Sequence, residues 1–572
     1  MTALPAHPIL SCDEARAFEA RLFGNDEARE WPAMQRAGRA VAAAVLDDFR
    51  EIGGFSAAGR MLVLVGKGHN GGDALIAARA ILEQYPQAGA DVLFVFGEQA
   101  LRPLAQRAWQ ELLQAAPQRV ASRRVGEGDS SRVAASVCEK TSAGVATSMS
   151  EWTSAYDLCL DGVFGFQFRP LLDERAGAAL RWANAQPIRL RAAVDLPSGL
   201  DAPDAFRADF TYATGVVKAP ALACPNAGRL RYLDLGFFAV EGVIPNALDY
   251  VLTRDVLSPL SALRSPLSDK RTYGHLFVVG GSRNYPGAVL MTVLAALRSG
   301  AGLVTAFVPE SLAPAFAARA PEAMWIGWPE TAEGGLALAG HYLMRERIER
   351  ATALVLGPGL GRETETQTLA TNIIEAATMP VVLDADALQP DIVRAGSAPR
   401  VLTPHAGEFA RIAGGASLRD FCKETGATVV LKGPVTRIGT AEAVYHSFFG
   451  GPVLARGGSG DVLAGLIGGL LAQAGAGAER LPVPSCRAGS PNPAGSGAGK
   501  AAASQAVAVA ERLSVPRGSE SASATLHAAA RGVVWHGLAA DALARAQGQV
   551  AVQTTQLLDH LSAALRACHH DG

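Results

Sequence analysis

The chain has 572 residues, 49% of them hydrophobic and 19% charged, with a formal net charge of -2. That length exceeds one ordinary core, so two domains are expected, and the apolar content excludes global disorder. The near balance of charge excludes a general pull toward nucleic acid or an anionic membrane, and neither is expected as a partner.

The opening MTALPAHPILSCDEARAFEARLFG carries acids and lacks a long apolar run, so no signal peptide is expected. Seven scattered cysteines without a CxxC pair suit a reducing, cytoplasmic setting and argue against zinc. Short apolar runs then recur, at Met61–Val65, Val92–Phe96, Leu158–Asp161 and Ala192–Asp195. Each ends near Gly or Asp and leads into an Ala-rich helical pattern. This rhythm predicts strand–loop–helix units, a mostly parallel sheet buried on both faces, and ligand sites at the carboxyl ends of its strands.

Met61–Leu82 reads as strand, glycine loop and helix. Gly66, Gly68, Gly71 and Gly72 let backbone approach a ligand phosphate, although the spacing is not GxGxxG. Asn70 and Asp73 add polar groups to that loop. CLDGVFGFQFRP supplies Asp161, and AAVDLPSGLDAPDA supplies Asp195 and Ser198 on a proline-stiffened turn. Oxygen groups at neighbouring strand ends suit a hard cation, and one clear carboxylate favours a monovalent ion over calcium. The competing reading is that these residues cap helices.

With ADFTYATGVVKAPAL, these motifs resemble the YjeF N-terminal domain, the NAD(P)HX epimerase, over about Ser11–Gly236. The resemblance implies a Rossmann-like three-layer α/β domain, with Asn70, Asp161 and Ser198 as K⁺ ligands. It implies substrate contacts from His69, Asn70, Gly71, Gly72 and Asp73, from Gly165, Phe166, Gln167, Phe168, Arg169, Pro170 and Leu171, and from Asp195. Asp195 is then the acid/base for loss and return of the hydroxyl at the hydrated carbon, interconverting the R and S epimers. The chain departs from the family at His69 and Ala74, where Asn and Gly are usual, and at Gln167, where a small residue is commoner.

A domain boundary is expected near residues 240–265, between GRLRYLDLGF and RSPLSDKRTYGHLFVVGG, giving domains 1–245 and 255–572. Further strands are expected at Leu276–Gly280, Ala353–Gly357, Val381–Asp384 and Thr428–Lys432. In ARGGSGDVLAGLIGGL, Gly457, Gly458 and Gly460 allow a tight turn at a helix start, where free amides and the helix dipole form an anion hole. The apolar run Val462–Leu471 reads as a buried helix, not a membrane span. Asp461 is electrostatically odd beside a phosphate unless it takes a proton from a hydroxyl as a phosphoryl group arrives. The competing reading is a glycine-rich helix start capped by Asp. Residues from about 475 to 524, rich in Ala, Gly, Ser and Pro, read as a mobile insertion with a short helix around Ala501–Leu513; folded pattern resumes at Leu526–Leu543.

The companions of GGSGD come in order: KRTYGHLFVVGGSRNYPGA, LVLGPGLG, VVLDADAL with Asp384 and Asp386, LTPHAGEFARI with His405 and Glu408, VVLKGPVT, and WHGLAAD. The series resembles the ribokinase-like superfamily, and within it the NAD(P)HX dehydratase domain, over roughly Lys270–Leu561 apart from the insertion. The resemblance implies a ribokinase-like α/β domain. It implies that Ala288, Gly359 and His405 line the substrate. Lys432, Gly433, Pro434, Val435 and Thr436, with Gly460, hold the nucleotide, and Asp461 stands at the substrate hydroxyl. ADP is the implied co-substrate, with Mg²⁺. Asp384 and Asp386 either orient Mg²⁺-bound water or cap the next helix. His405 has a bland reading as a loop hydrogen-bonder and Lys432 as a surface lysine; His536 and Asp541 read as structural. Gly450 stands where Asn is common, and Arg456 precedes the glycines.

Together the two resemblances imply repair of NADHX and NADPHX: epimerisation feeding a dehydration that converts ADP to AMP and phosphate, in a homo-oligomer. The alternative is a ribokinase-superfamily small-molecule kinase with a non-catalytic N-terminal binding domain.

Overall fold

The computed structural model describes residues 4–24, 26–124, 155–165, 172–239, 247–477 and 517–567. Two sheets organise them. The smaller runs, edge to edge, Val120–Arg124, Gly89–Phe94, Arg60–Val65, Tyr156–Gly162, Ile188–Val194, Phe210–Thr214 and Arg229–Leu233, every pair parallel. A strand's side chains alternate between faces, so a continuous apolar run serves two cores. Met61, Val63 and Val65 join one core with helices Glu27–Phe49, His69–Gln84 and Pro103–Ala115. Leu62 and Leu64 join the other with helix Glu174–Ala185. Chain order reverses between Arg60–Val65 and Tyr156–Gly162, which opens a crevice at their carboxyl ends.

The larger sheet runs Ala6–Pro8, Asp249–Leu252, Val444–Ser447, Thr436–Gly439, Thr428–Leu431, Arg400–Leu402, Val381–Leu383, Ala353–Leu356, His275–Val279, Leu303–Pro309 and Met324–Trp328. The strands from Thr428–Leu431 onward along this order are parallel. The same alternation fills two cores, with Leu276 and Val278 on one face and Phe277 and Val279 on the other. Here the order reverses between His275–Val279 and Ala353–Leu356. The Val462–Leu471 run lies inside the buried helix Ser459–Gly475, packed against helices Pro286–Arg298 and Arg517–Gln547.

The chain's first strand, Ala6–Pro8, pairs antiparallel with Asp249–Leu252 and so belongs to the larger sheet, not the one it precedes. Leu196, Val217 and Leu230 of the N-terminal half share an apolar cluster with Val251 and Phe448. The last long helix starts at Arg517, ahead of the expected Leu526: helix propagation adds one hydrogen bond per residue once the packed part has supplied the nucleus. The helix expected at Ala501–Leu513 lies outside the described residues. Among the described residues no helix is long and apolar enough to cross a membrane.

Candidate functional sites

At the reversal point of the smaller sheet lies a cavity of about 390 Å³, lined by Asn70, Asp73, Gly165, Asp195 and Lys218 among others. Two strand-end loops meet there main chain to main chain. A Cβ on Gly66 would sit 1.9 Å from the Val163 carbonyl, and one on Gly162 2.6 Å from the Asn70 carbonyl. Gly71 and Gly72 serve packing: side chains there would strike the Gly66 carbonyl and Met34. His69 opens helix His69–Gln84, and its Nε2 faces Glu30 at 3.2 Å. Phe166, Gln167, Phe168, Arg169, Pro170 and Leu171 lie outside the described residues.

Asp195 follows its strand with φ 69°, a left-handed conformation that costs a non-glycine residue and marks a constrained position. Its Oδ1 accepts from the Lys218 ammonium at 2.5 Å. Lys218 is fully buried; burial opposes its charge, but Asp195 and then Glu19 more than offset this and hold its pKa up. Glu19 Oε1 lies 3.9 Å from the same ammonium. The Ser11–Glu14 capping box starts helix Cys12–Phe23, which buries Phe18 in a core and brings Glu19 to the cavity. Asp73 is buried with one oxygen unpartnered. Burial, then the charges of Asp195 and Glu19, raise its pKa well above the usual range.

Beside the cavity, Asn70 donates to the Phe164 carbonyl at 3.0 Å, and Ser198 Oγ lies 3.4 Å from that carbonyl. Asp161 accepts from the Ser198 hydroxyl at 2.7 Å and from the Ser198 amide at 2.8 Å. Burial lifts its carboxyl to about 6 against those hydrogen bonds. Gly165 leaves room between Asn70 and Asp195, for a Cβ there would approach both side chains within 3.3 Å. An amide, a hydroxyl, a carbonyl and one carboxylate make a weakly charged oxygen set, which fits a monovalent ion, and a cation there would relieve the buried Asp161 charge.

The C-terminal half gathers its predicted residues at the equivalent crevice. Gly458, at φ 87°, precedes helix Ser459–Gly475, whose first turn carries Gly460 and Asp461. The Ser459 amide bonds the Arg456 carbonyl. Gly460 and Asp461 present first-turn amides with no partner within the helix. Lys432 Nζ donates to Asp384 Oδ1 at 3.1 Å, and Thr403 Oγ1 donates to the same oxygen at 2.7 Å. A Cβ on Gly460 would lie 3.0 Å from Lys432 Nζ, so the glycine admits the ammonium to the helix end. Lys432 is no surface lysine: burial lowers its pKa, and Asp384, Glu408 and Asp461 outweigh that. Burial, then the Asp384 charge, push Asp461 to about 7 despite Lys432.

Gly359, at φ 63°, meets Ala288: a Cβ on the glycine would lie 3.1 Å from that of Ala288. Thr292 Oγ1 contacts the carbonyls of Ala288 and Asp461, both at 3.1 Å, linking this contact to the helix bearing the carboxylate. His405 caps helix Ala406–Ala413, its Nδ1 accepting from the Gly407 and Glu408 amides, so the neutral ring carries its proton on Nε2. The His405 backbone forms an isolated parallel bridge with Lys432, the residue just after strand Thr428–Leu431. Gly433, Pro434 and Val435 form the turn into strand Thr436–Gly439, and Val435 touches the apolar cluster shared with the N-terminal half.

Asp384 stands at the N-cap position of the short 3-10 turn Ala385–Ala387, but its side chain makes no capping bond there, and Asp386 lies within that turn. Asp384 sits with Lys432, while Asp386 holds the Gly361 amide and Arg362. For Mg²⁺, the Asp384 charge raises the cost of ionising Asp461, which a divalent cation would relieve. No cluster of three or more His, Cys, Asp or Glu side chains that could hold a metal occurs among the described residues. His536 is buried and held neutral, near 4, by burial and the Lys432 charge; Asp541 joins the contact between the halves.

A family model described as NAD(P)H-hydrate dehydratase matches residues 276–508, and one described as the YjeF-related protein N-terminus matches residues 32–219. The bifunctional NAD(P)H-hydrate repair enzyme of Gloeobacter violaceus is 34% identical over 502 residues, 83% of this chain and 90% of the relative. That of Thermofilum pendens is 30% identical over 539 residues, 89% of this chain and 88% of its own. The chain belongs to the bifunctional NAD(P)H-hydrate repair enzyme family. A ribokinase-like superfamily protein from Enterococcus faecalis, solved as a crystal structure, aligns with 57% of the chain and 98% of its own, at 24% identity and a TM-score of 0.43.

In this member of the NAD(P)H-hydrate repair enzyme family, sequence reasoning missed Lys218 and Glu19. Lys218 left one trace: a single cation inside the apolar VVKAPAL, which is how a buried, paired lysine reads. Glu19 left none, since it lies on an ordinary amphipathic helix far from the strand-end motifs. Asp384 and Lys432 were each visible, but their pairing across 48 positions was not.

Proposed function

We propose that the protein repairs hydrated nicotinamide cofactors, NADHX and NADPHX. The N-terminal cavity interconverts the R and S epimers and the C-terminal crevice dehydrates the S form. The observation that carries the reading is Asp461: a carboxyl raised to about 7 in the first turn of a glycine-led helix, beside the Lys432–Asp384 pair.

A group near 7 is suited to accept a proton at neutral pH. Asp461 takes the proton of the substrate hydroxyl as its oxygen attacks the terminal phosphate of ADP. The amides of Gly460 and Asp461, and the Lys432 ammonium, stabilise charge on the transferring group, and AMP leaves. Mg²⁺, when bound near Asp384 and Asp461, supplies further neutralisation of phosphate charge. The C–O bond of the new phosphate ester then breaks: inorganic phosphate leaves as the ring-nitrogen lone pair forms a C=N bond, and loss of a proton from the neighbouring carbon restores the carbon–carbon double bond and returns the pair to nitrogen. Gly433–Thr436 hold the nucleotide, and Ala288, Gly359 and His405 flank the nicotinamide ring.

In the N-terminal cavity, Asp195 is the acid/base at the hydrated carbon. Asn70, Asp161, Ser198 and the Phe164 carbonyl hold K⁺, whose charge organises the loop bearing Gly165. Asn70, Asp73 and Gly165 contact the substrate. Cys12, Cys159, Cys224 and Cys422 are free thiols, as suits the cytoplasm. A homo-oligomer is the expected assembly, read by its mass in light scattering.

The test is incubation with mixed epimers and ADP or ATP, following nicotinamide absorbance and products. Full recovery of absorbance, with AMP and phosphate formed from ADP, is expected. A stable phosphorylated metabolite without recovered absorbance overturns the reading in favour of a kinase. Repair of the S form alone, with R consumed at its spontaneous rate, removes the epimerase half.

A further inference from the structure

Given the epimerase reading of the N-terminal cavity, Glu19 has no assigned task. It enters from helix Cys12–Phe23, outside the strand-end loops, and lines the same cavity as Asp195. The Lys218 ammonium stands between them, 2.5 Å from Asp195 and 3.9 Å from Glu19. The Asp195 side chain is 5% exposed and that of Glu19 24%, so the glutamate is the more open of the two to a ligand. We propose that Glu19 is the second acid–base group of the epimerisation, serving the face of the hydrated carbon opposite Asp195, with Lys218 as the fixed cation between the two.

The reaction needs two proton movements on two faces. One carboxyl donates a proton to the hydroxyl, the C–O bond breaks and water departs. The ring-nitrogen lone pair meanwhile forms the C=N bond of a planar iminium. Water returns from the other face, a new C–O bond forms, the electron pair goes back to nitrogen, and the second carboxylate takes the surplus proton. One proton is given and one is taken, so the substrate's composition is unchanged. A lone carboxylate pinned to Lys218 on one side reaches only one face.

The charges around the cavity fit this division. Three carboxyls, of Glu19, Asp73 and Asp195, share one buried ammonium, so full ionisation leaves unpaired negative charge in a poorly solvated space. Glu19 faces Lys218, Asp195 and Asp73, with Glu30 on the next helix and Arg16 on its own; Lys67, His69 and Arg102 line the rest of the cavity. Burial, then Asp195 and Glu30, lift Glu19 to about 7 against the pull of Lys218. Near neutral pH it is present in both forms, as a group that must give and take a proton requires.

The full-length protein is assayed separately for epimerisation and for dehydration of the S form. E19Q is expected to slow epimerisation on the order of 10²-fold. It is also expected to lose the limb of the rate profile at about pH 7 and to dehydrate the S form as wild type does. E19D is expected to regain part of the epimerisation. E19Q that epimerises at the wild-type rate across the profile overturns the proposal and leaves the epimerase reading standing, whereas a wild-type protein that does not epimerise overturns both. If E19Q lowers both activities through the fold, E19D decides: with dehydration restored, slowed epimerisation with a displaced pH limb supports Glu19, and wild-type epimerisation with an unchanged profile overturns the proposal.

Discussion

Arg231 of the smaller sheet and Asp541 of the long C-terminal helix form a two-pronged ion pair, at 3.0 and 3.2 Å, across the contact between the halves. Arg231 also grips Asp48 at 2.9 and 3.1 Å and donates to the Phe448 carbonyl at 3.0 Å. Arg229 beside it joins Glu51, Asp541 and the Gly450 carbonyl. The chain from Phe448 leads directly to the glycine turn, so the N-terminal half braces the segment that carries Asp461. Gly450 accepts this clamp at φ 90°, with its amide on Asp541 at 3.0 Å.

Removing one partner of such a buried network strands charges. R231M leaves Asp48 and Asp541 short of their main counter-ion, and the expected loss is about 3–5 kcal/mol, read as a lower urea midpoint. Burial pushes the Asp48 carboxyl up, but Arg231 and Arg545 hold it below its usual value. Its stabilising contribution is therefore complete above its unfolded value of about 4 and is lost as pH falls through the lower native value. R231M is expected to shrink that acid-linked loss. An unchanged midpoint and acid profile would remove the clamp from the account.

D461N keeps the shape of the first turn and removes the proton acceptor. Dehydration is expected to fall about 10²- to 10⁴-fold while epimerisation is unchanged. Because the acid form of a raised carboxyl is the inactive one, wild-type kcat/KM for dehydration is expected to rise with pH through about 7. A flat profile, or full activity in D461N, rules out Asp461 as the base.

Gly359 tests the substrate wall. A Cβ there would lie 2.4 Å from the Tyr285 carbonyl, in a left-handed conformation that costs a non-glycine residue about 1–2 kcal/mol. G359V is expected to displace the turn against Ala288 and to lower kcat/KM for dehydration, with epimerisation intact. Wild-type kinetics in G359V would place the substrate elsewhere.

Ser198 tests the ion. S198A removes an oxygen from the set and a donor to Asp161, and the K⁺ concentration for half-maximal epimerisation is expected to rise about 10- to 100-fold. Dehydration serves as the internal control. Epimerisation indifferent to K⁺ in the wild type would leave Asp161 and Ser198 as loop-holding residues only.

Local pattern determined much of this. Apolar runs of strand length followed by helical Ala-rich stretches are a property of short windows, and Val63 or Val278 is buried whichever strand lies beside it. The glycine turn before Val462 likewise announces an amide-rich helix end from a handful of residues. Which elements stand together was decided by tertiary structure alone. Ala6–Pro8 closes the edge of the distant sheet, Lys432 finds Asp384, Arg231 finds Asp541, and Glu19 reaches the ammonium that holds Asp195. Each is a pairing of charges or backbone edges far apart in the chain, set by where whole helices and strands come to rest. Nothing in the residues flanking either partner encodes the other, because the energy that joins them exists only once both cores have closed.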